Sequence, residues 1–210
     1  MAEQKLIYSL IMDALTAAII WKCYKKSTAS ADQKYSTFWP RFWASCVDSC
    51  VLWPLNVITY ILTFDLSAFL ALCLWLMQGI GFYFYQVFMH GKYGQTIGKM
   101  VCKIKVLNFN KEDNINYKTA LLRDSIPIAL FMLVLVLQFY FIAIGKLTIN
   151  ELYSPTSETI DTLYLIPIFW FVVELISMLT NEKRRALHDY IAGTVVARTN
   201  ITKGLDGIKH

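Results

Sequence analysis

Four long apolar runs, separated by polar and charged segments, dominate the pattern of the chain. They cover residues 42–64, with Asp48 as the single charge, 66–89 and 126–145, without charges, and 162–180, with only Glu174. Each run has about the 20 apolar-dominated residues that a helix needs to cross a hydrocarbon core of roughly 30 Å. Backbone polar groups in lipid must be hydrogen-bonded within their own segment, so we expect helices. The pattern predicts an all-α membrane protein with four transmembrane helices.

Composition excludes the soluble alternative. Of the 210 residues, 56% are hydrophobic and 17% charged, against roughly 45–50% and about 25% in soluble domains. A soluble fold of this size would leave wide apolar patches on its surface. The net charge of +5 would suggest a nucleic-acid partner only if the basic residues shared one water-exposed face. They stand in blocks between the apolar runs, so we expect no nucleic-acid partner.

The distribution of Lys and Arg predicts the orientation. The net charge is +4 for residues 22–41, +4 for 90–125 and +3 for 181–210, against −1 at Asp65 and −2 for 146–161. The positive-inside rule therefore places both flanks and the central loop in the cytoplasm, which predicts a multi-pass protein of the cytoplasmic (inner) membrane. The basic blocks also suit contact with anionic lipid headgroups.

The first 30 residues predict a separate N-terminal helix. Residues 6–21 form an apolar run that is short for a span and contains Asp13. One apolar face recurs at helical spacing, at Ile7, Ile11, Ala14, Ala18 and Trp21. We favour an amphipathic helix lying on the membrane, with a fifth span as the alternative. Residues 199–210 form a polar tail.

The cytoplasmic segments predict a small strand and helix element. Residues 100–107 alternate as strands do and residues 194–199 are also strand-like, so we expect them to pair in a sheet. Asn116 is a candidate cap for the helix that leads into the third span. Residues 182–191 are predicted to form a short helix that stops near Gly193.

Several short motifs occur in a fixed order between the apolar runs. They are Arg41 to Asp48 (RFWASCVD), Gly94 to Lys99 (GQTIGK), Lys103 to Val106 (KIKV), Leu122-Arg123 and Leu187 to Val196 (LHDYIAGTVV). Together they resemble the RDD family of integral membrane proteins over roughly residues 38–198, which we take as the transmembrane domain. The resemblance implies a transport-related role, because cation/proton exchange is proposed for some members. It also implies a cytoplasmic motif, whose residues are Gly94, Gln95, Thr96, Gly98, Lys99, Arg123, His188, Asp189, Gly193 and Thr194.

Two acids inside the spans are the candidate ion or proton sites. A charge at a span centre costs about 2.5–3.5 kcal/mol on insertion scales, so Asp48 needs a partner, water or a proton. Arg41 precedes it by about 10.5 Å along the helix axis, close enough to tune it. Polar residues continue the same face, at Ser45, Ser49, Asn56, Thr59 and Thr63. Glu174 is the second acid. A cation or proton site at Asp48, poised by Arg41 and paired with Glu174, stands beside a purely structural role for the same residues.

Other chemistries fit the sequence less well. Cys46 and Cys50 share a helix face but have no histidine near them, so we expect no metal site. Residues 94–99 lack the full phosphate-loop pattern and predict a tight turn. Neither a nucleophile nor a third ligand accompanies His188-Asp189, and we expect Asp189 instead to bind backbone or a base such as Arg41 or Arg123. The sequence thus predicts a transporter or ion-homeostasis protein, not an enzyme, without a cofactor, acting as a homo-oligomer or with a partner membrane protein. A non-catalytic scaffold or accessory subunit is the alternative.

Overall fold

The computed structural model describes residues 2–63, 68–147 and 158–202. Side chains are described for residues 12, 14–55, 57–58, 70, 73–147 and 162–202. The expected polar side chains Asn56, Thr59 and Thr63, the Asp13 side chain and most of the 199–210 tail therefore lie outside the described part.

Long helices account for most of the described chain. They are α1 (Ala2–Lys25), α2 (Phe38–Thr63), α3 (Ala68–Tyr93), α5 (Tyr117–Ala143) and α6 (Glu158–Leu179). Apart from residues 144, 145 and 180, the described residues of the four apolar runs lie in α2, α3, α5 and α6, as their pattern predicts. Among the described residues, two helices are long and apolar enough to cross a membrane: Tyr117–Ala143 and Thr162–Leu179.

Short elements follow α3 and α6. A five-residue helix, α4 (Ile97–Val101), precedes strand β1 (Ile104–Asn108), and helix α7 (Leu187–Ile191) precedes strand β2 (Thr194–Arg198). The strands pair antiparallel, with Val106 opposite Val196. This confirms the predicted sheet. Asn116 caps α5 as predicted, because its side-chain oxygen accepts a hydrogen bond from the Thr119 N–H at 2.9 Å.

Two predicted boundaries are wrong. The first strand begins at Ile104 and not at residue 100, because residues 97–101 continue as α4 and Lys103 takes a left-handed turn (φ 54°). The helix expected over 182–191 begins only at Leu187, because Arg184 takes a positive φ of 50° that helices exclude. Propensity alone does not contain these turns, since the packing of each short helix against the spans imposes them.

The buried core lies where the sheet meets the helices. Ala44 and Val47 of α2 pack there with Ile104, Val106 and other residues of the same cluster: Ile20, Cys102, Ile115, Ala120 and Val196. By contrast, α3, α5 and α6 expose large apolar side chains, including Phe84 (69% exposed) and Phe169 (71%). Exposed apolar surface on this scale matches a lipid environment. In α1 the described part of the predicted apolar face is exposed, whereas Ile20 and Tyr24 pack inward against the core cluster.

Candidate functional site

Asp189 is the centre of a buried polar cluster. Its side chain is 0% exposed. One carboxylate oxygen, Oδ2, accepts hydrogen bonds from Arg41 Nη1 at 2.7 Å and from the Ala186 N–H at 3.1 Å. The other, Oδ1, accepts from Arg123 Nε and from Thr194 Oγ1, both at 3.0 Å. Two donors on each oxygen satisfy a buried carboxylate fully.

The charges around Asp189 keep it ionised. Burial by itself raises the pKa of a carboxyl, but the charges of Arg41 and Arg123 hold the pKa of Asp189 well below its usual range. The predicted contact of Asp189 with backbone and with a basic residue is therefore confirmed, and both candidate arginines take part. Arg41, which the sequence predicts to tune Asp48, directs its Nη1 to Asp189 of α7.

Arg185 stabilises the backbone next to this cluster, and the sequence analysis did not identify it. Its Nε donates to the Thr194 carbonyl at 2.9 Å and its Nη2 to the Asp189 carbonyl at 3.0 Å. Its guanidinium carbon lies 4.1 Å from the ring centroids of both Phe109 and Tyr190. Stacking between two aromatic faces suits a guanidinium. The sequence contained one indication of its role, because Arg185 lies two residues before the motif that begins at Leu187.

Asp48 binds α4 and not an open site. The carboxylate is 3% exposed. Its Oδ2 accepts from Thr96 Oγ1 at 2.6 Å, and its Oδ1 accepts from the Gly98 N–H and from Tyr85 Oη, both at 2.8 Å. Tyr85, which the sequence reading did not select, also accepts a hydrogen bond from the Ile97 N–H at 3.0 Å. The carboxylate thus fastens the amino end of α4 to α2.

Two glycines allow this close approach. A Cβ on Gly98 would lie 2.0 Å from the Ala44 carbonyl oxygen, so only glycine fits against α2. Gly94 turns the chain with φ +70°, a left-handed conformation that favours glycine. Next to it, Gln95 Nε2 donates to the Ile104 carbonyl at 2.9 Å. The 94–99 motif is therefore the predicted tight turn, and it continues directly into α4.

Glu174 has separate partners from Asp48. Its Oε2 lies 2.5 Å from His188 Nδ1, and its Oε1 accepts the His188 backbone N–H at 3.1 Å. A guanidinium can only donate, so His188 Nε2, 2.8 Å from Arg123 Nη2, acts as the acceptor there. The ring proton of His188 then resides on Nδ1 and faces Glu174. The expected direct pairing of Asp48 with Glu174 is not what the structure shows.

A cavity of about 470 Å³ opens beside this pair, among α2, α4, α5, α6 and α7. Its polar lining consists of Arg41, Ser45, Ser49, Lys99, Arg123, Glu174 and His188. The hydroxyls of Ser45 and Ser49 donate to the carbonyls of Arg41 and Ser45, respectively, so they leave oxygen lone pairs for other donors. Asp48 does not line this cavity.

Metal ligation finds no support in the described residues. Within residues 2–63, 68–147 and 158–202, no three His, Cys, Asp or Glu side chains are grouped to hold a metal ion. None of the five cysteines is in a disulfide. Cys46 packs against the core cluster.

The network joins the motifs at residues 41–48, 94–99, 122–123 and 187–194. The RDD family model matches residues 35–193, about three quarters of the chain. The chain belongs to the RDD family. It is also similar to an uncharacterized membrane protein, YteJ, of Bacillus subtilis (strain 168), with 29% identity over 102 residues. That match covers 43% of this chain and 59% of YteJ, so it spans less than two thirds of the relative. No solved structure matches.

Membership of the RDD family indicates a membrane protein, but it does not indicate what the protein does. In this RDD protein the motif residues share one physical role: they hold α4, α7 and the sheet against the ends of α2 and α5. Thr194 and Gly193 take part directly, through the Thr194 hydroxyl on Asp189 and the Gly193 carbonyl that accepts the Phe109 N–H at 2.9 Å. The residues that the sequence selected as a motif are therefore in contact in the fold.

Proposed function

We propose that the RDD protein crosses the cytoplasmic membrane four times, through α2, α3, α5 and α6, with both flanks and the 94–114 segment in the cytoplasm. The lengths of these helices and their exposed apolar side chains support this arrangement. The positive net charge of the three segments placed inside supports the orientation. Four spans enclose little space, so we also propose a homo-oligomer or a partner membrane protein.

We propose further that the protein acts in ion transport or ion homeostasis. The observation that carries this proposal is the position of the Glu174 and His188 pair on the wall of the cavity. A carboxylate and an imidazole in contact can exchange one proton with that space. The cavity also has hydroxyl oxygens, at Ser45 and Ser49, that can hydrogen-bond the hydration water of an ion.

Proton binding at His188 would change the network. A proton on Nε2 removes the lone pair that accepts Arg123 Nη2 at 2.8 Å. Arg123 also binds Asp189, which holds α7 to α2 and α5. One proton at the cavity is thereby linked to the contact between the cytoplasmic element and the spans.

Exchange through Asp48 is the less favoured version of the same function. A cation there would have to displace donors from Thr96, Gly98 and Tyr85. Glu174 has a smaller set of partners and lines the cavity. We therefore assign the exchanging carboxyl to Glu174 and a positioning role to Asp48.

A non-catalytic scaffold is the second candidate. It is favoured by the saturation of both Asp189 and Asp48 with donors, because such groups stabilise a fold without any transported ion.

Proteoliposomes with an internal pH indicator separate the candidates. The purified full chain should change internal pH when sodium, potassium or lithium is added outside. Glu174→Gln should abolish that response, since the amide removes the negative charge that favours a proton on the pair with His188. Glu182→Gln, which changes an exposed acid outside the cavity, is the matched control and should respond as the wild type does.

The remaining outcomes favour a different assignment. Loss of exchange in Asp48→Asn with exchange kept in Glu174→Gln would return the site to Asp48. No pH change with any of the three cations, from protein that is folded by its thermal unfolding transition, would favour the scaffold.

A further inference from the structure

The cavity beside Glu174 has more positive charge on its walls than negative charge. Arg41, Lys99 and Arg123 line it, and Glu174 is the acid among its lining residues. Glu174 already contacts both the ring and the backbone N–H of His188. Asp189 binds Arg41 and Arg123 from outside the lining set. The cavity wall therefore suits an anion better than a bare cation, whatever ion the protein transports.

Arg41 has donors to spare. Its Nη1 binds Asp189, whereas its Nε and Nη2 are buried with no hydrogen-bond partner among the described residues. These two nitrogens form one edge of the guanidinium, and such an edge matches two oxygens of one phosphate. A buried donor without an acceptor is costly, so a ligand oxygen at this edge would be stabilising.

Lys99 also lacks an acid partner. Within the described part of the chain, no carboxylate oxygen lies within 4.0 Å of its ammonium. Burial, followed by the charge of Arg123, lowers the pKa of Lys99 to about 8. An anion between these two bases would offset both causes.

We propose that this cavity binds a phosphate group, held by the free edge of Arg41 and by the Lys99 ammonium, with Arg123 as the third positive charge. The side of the cavity formed by Phe42 (45% exposed) and Phe171 (58%) is apolar and reaches the surface. A phospholipid headgroup with its chains along these rings and a free inorganic phosphate present the same chemistry to the bases. The proposal goes beyond ion transport, because it concerns binding at equilibrium.

Thermal unfolding of the full chain in a phosphate-free maltoside detergent tests the proposal. One arm titrates inorganic phosphate, and the other titrates dihexanoyl phosphatidylglycerol against dihexanoylglycerol, which lacks the phosphate. A ligand that binds only the folded state stabilises it by RT ln(1 + [L]/Kd), so the unfolding temperature rises with the ligand concentration. We expect at least one phosphate-bearing ligand to stabilise the wild type and dihexanoylglycerol not to do so.

Two variants locate the site. Lys99→Gln should raise the dissociation constant by about tenfold or more, the loss of one charge-assisted contact. Lys111→Gln removes the same charge from an exposed loop outside the cavity and should bind as the wild type does. Arg41→Lys keeps the charge but lacks the two-nitrogen edge, so it should bind more weakly even where it folds normally.

The two arms name the source of the phosphate. Stabilisation by inorganic phosphate alone assigns a free anion, and stabilisation by the phospholipid assigns a lipid headgroup. The proposal is overturned if neither inorganic phosphate nor the phospholipid stabilises the protein. It is also overturned if Lys99→Gln and Lys111→Gln give identical titrations. None of these results depends on ion exchange, so the transport proposal stands or fails separately.

Discussion

Arg41 and Asp189 are 148 residues apart in the chain, yet Arg41 Nη1 lies 2.7 Å from Asp189 Oδ2 in a buried contact. Arg41 lies in the first turns of α2, and Asp189 lies in the middle of α7. The pair therefore ties one end of the family-matched segment to the other. Arg123 of α5 binds the same carboxylate and extends the tie to a third helix.

This contact should be strongly coupled in a double-mutant cycle. Arg41→Gln and Asp189→Asn should each destabilise the protein by about 3–5 kcal/mol, because each leaves a buried partner uncompensated. The double variant should lose less than the sum, by at least about 1 kcal/mol. Chemical unfolding in detergent measures these values.

The exposed pair of Lys34 and Glu112 is the control for the cycle. Its coupling should be below about 1 kcal/mol, as for other partly exposed ion pairs. An Arg41/Asp189 coupling no larger than the Lys34/Glu112 coupling would contradict the role of the buried pair in holding α7.

Gly98 should not tolerate a methyl group. In Gly98→Ala the new Cβ would meet the Ala44 carbonyl oxygen at 2.0 Å, so α4 would have to move and the Gly98 N–H bond to Asp48 would lengthen. We expect a loss of about 1–3 kcal/mol, the usual cost of overpacking. Thermal unfolding in detergent checks this.

Gly81→Ala is the matched change. Gly81 lies inside α3 and an added Cβ there meets nothing within 4 Å. The substitution should be neutral or slightly stabilising, since alanine loses less entropy in a helix than glycine. Equal effects of the two substitutions would show that α4 does not need its close contact with α2.

Stability should fall in acid through Asp189. Its pKa is well below the usual value in the folded protein because of Arg41 and Arg123, and about 3.9 in the unfolded chain. The unfolded state thus binds more protons on acidification, so the contribution is complete above about pH 5 and is lost as the pH falls toward the folded pKa. Asp189→Asn should be less stable at pH 7 and lose less on going to pH 3.

Unfolding temperatures between pH 3 and pH 7 measure this difference. Asp32→Asn changes an exposed acid in the short turn before α2 and should parallel the wild type. If the Asp189→Asn curve also runs parallel to the wild type, the carboxylate of Asp189 does not contribute through its charge.

Cysteine labelling tests the proposed orientation. In a variant without native cysteines, Lys111→Cys and Lys146→Cys introduce exposed thiols on either side of the single helix α5. A membrane-impermeant maleimide added to intact cells should label the second and not the first. Labelling of both or neither would contradict a spanning α5, and the reverse labelling would invert the orientation.

The helices and the sheet were accessible from the sequence because their causes are local. An apolar run of about 20 residues must be helical in lipid, whatever lies beside it. The alternation at residues 104–107, the β-branched run Thr194-Val195-Val196 and the cap at Asn116 are likewise properties of neighbouring residues. These signals needed no knowledge of the tertiary fold.

The ordered motifs identified the family and its motif residues, but they did not show which residues these contact. The sequence marked Arg41, Asp48, Glu174 and Asp189 as charges that need compensation. Along α2, Asp48 is the acid nearest to Arg41, and this proximity suggested that Arg41 tunes Asp48. In the structure Arg41 binds Asp189, and Asp48 accepts hydrogen bonds from Thr96 and Gly98 at the start of α4.

The sequence by itself thus determined the helices, the sheet, the family and most of the buried charges, but not Arg185. Only the tertiary structure decided which donor binds which acceptor. It also showed that position 98 has room only for glycine, and that Glu174 and not Asp48 lines the cavity. The physical reason is the distance along the chain between the residues that interact. Helix formation and capping depend on residues within a few positions, whereas a buried ion pair depends on how helices far apart in the chain pack together.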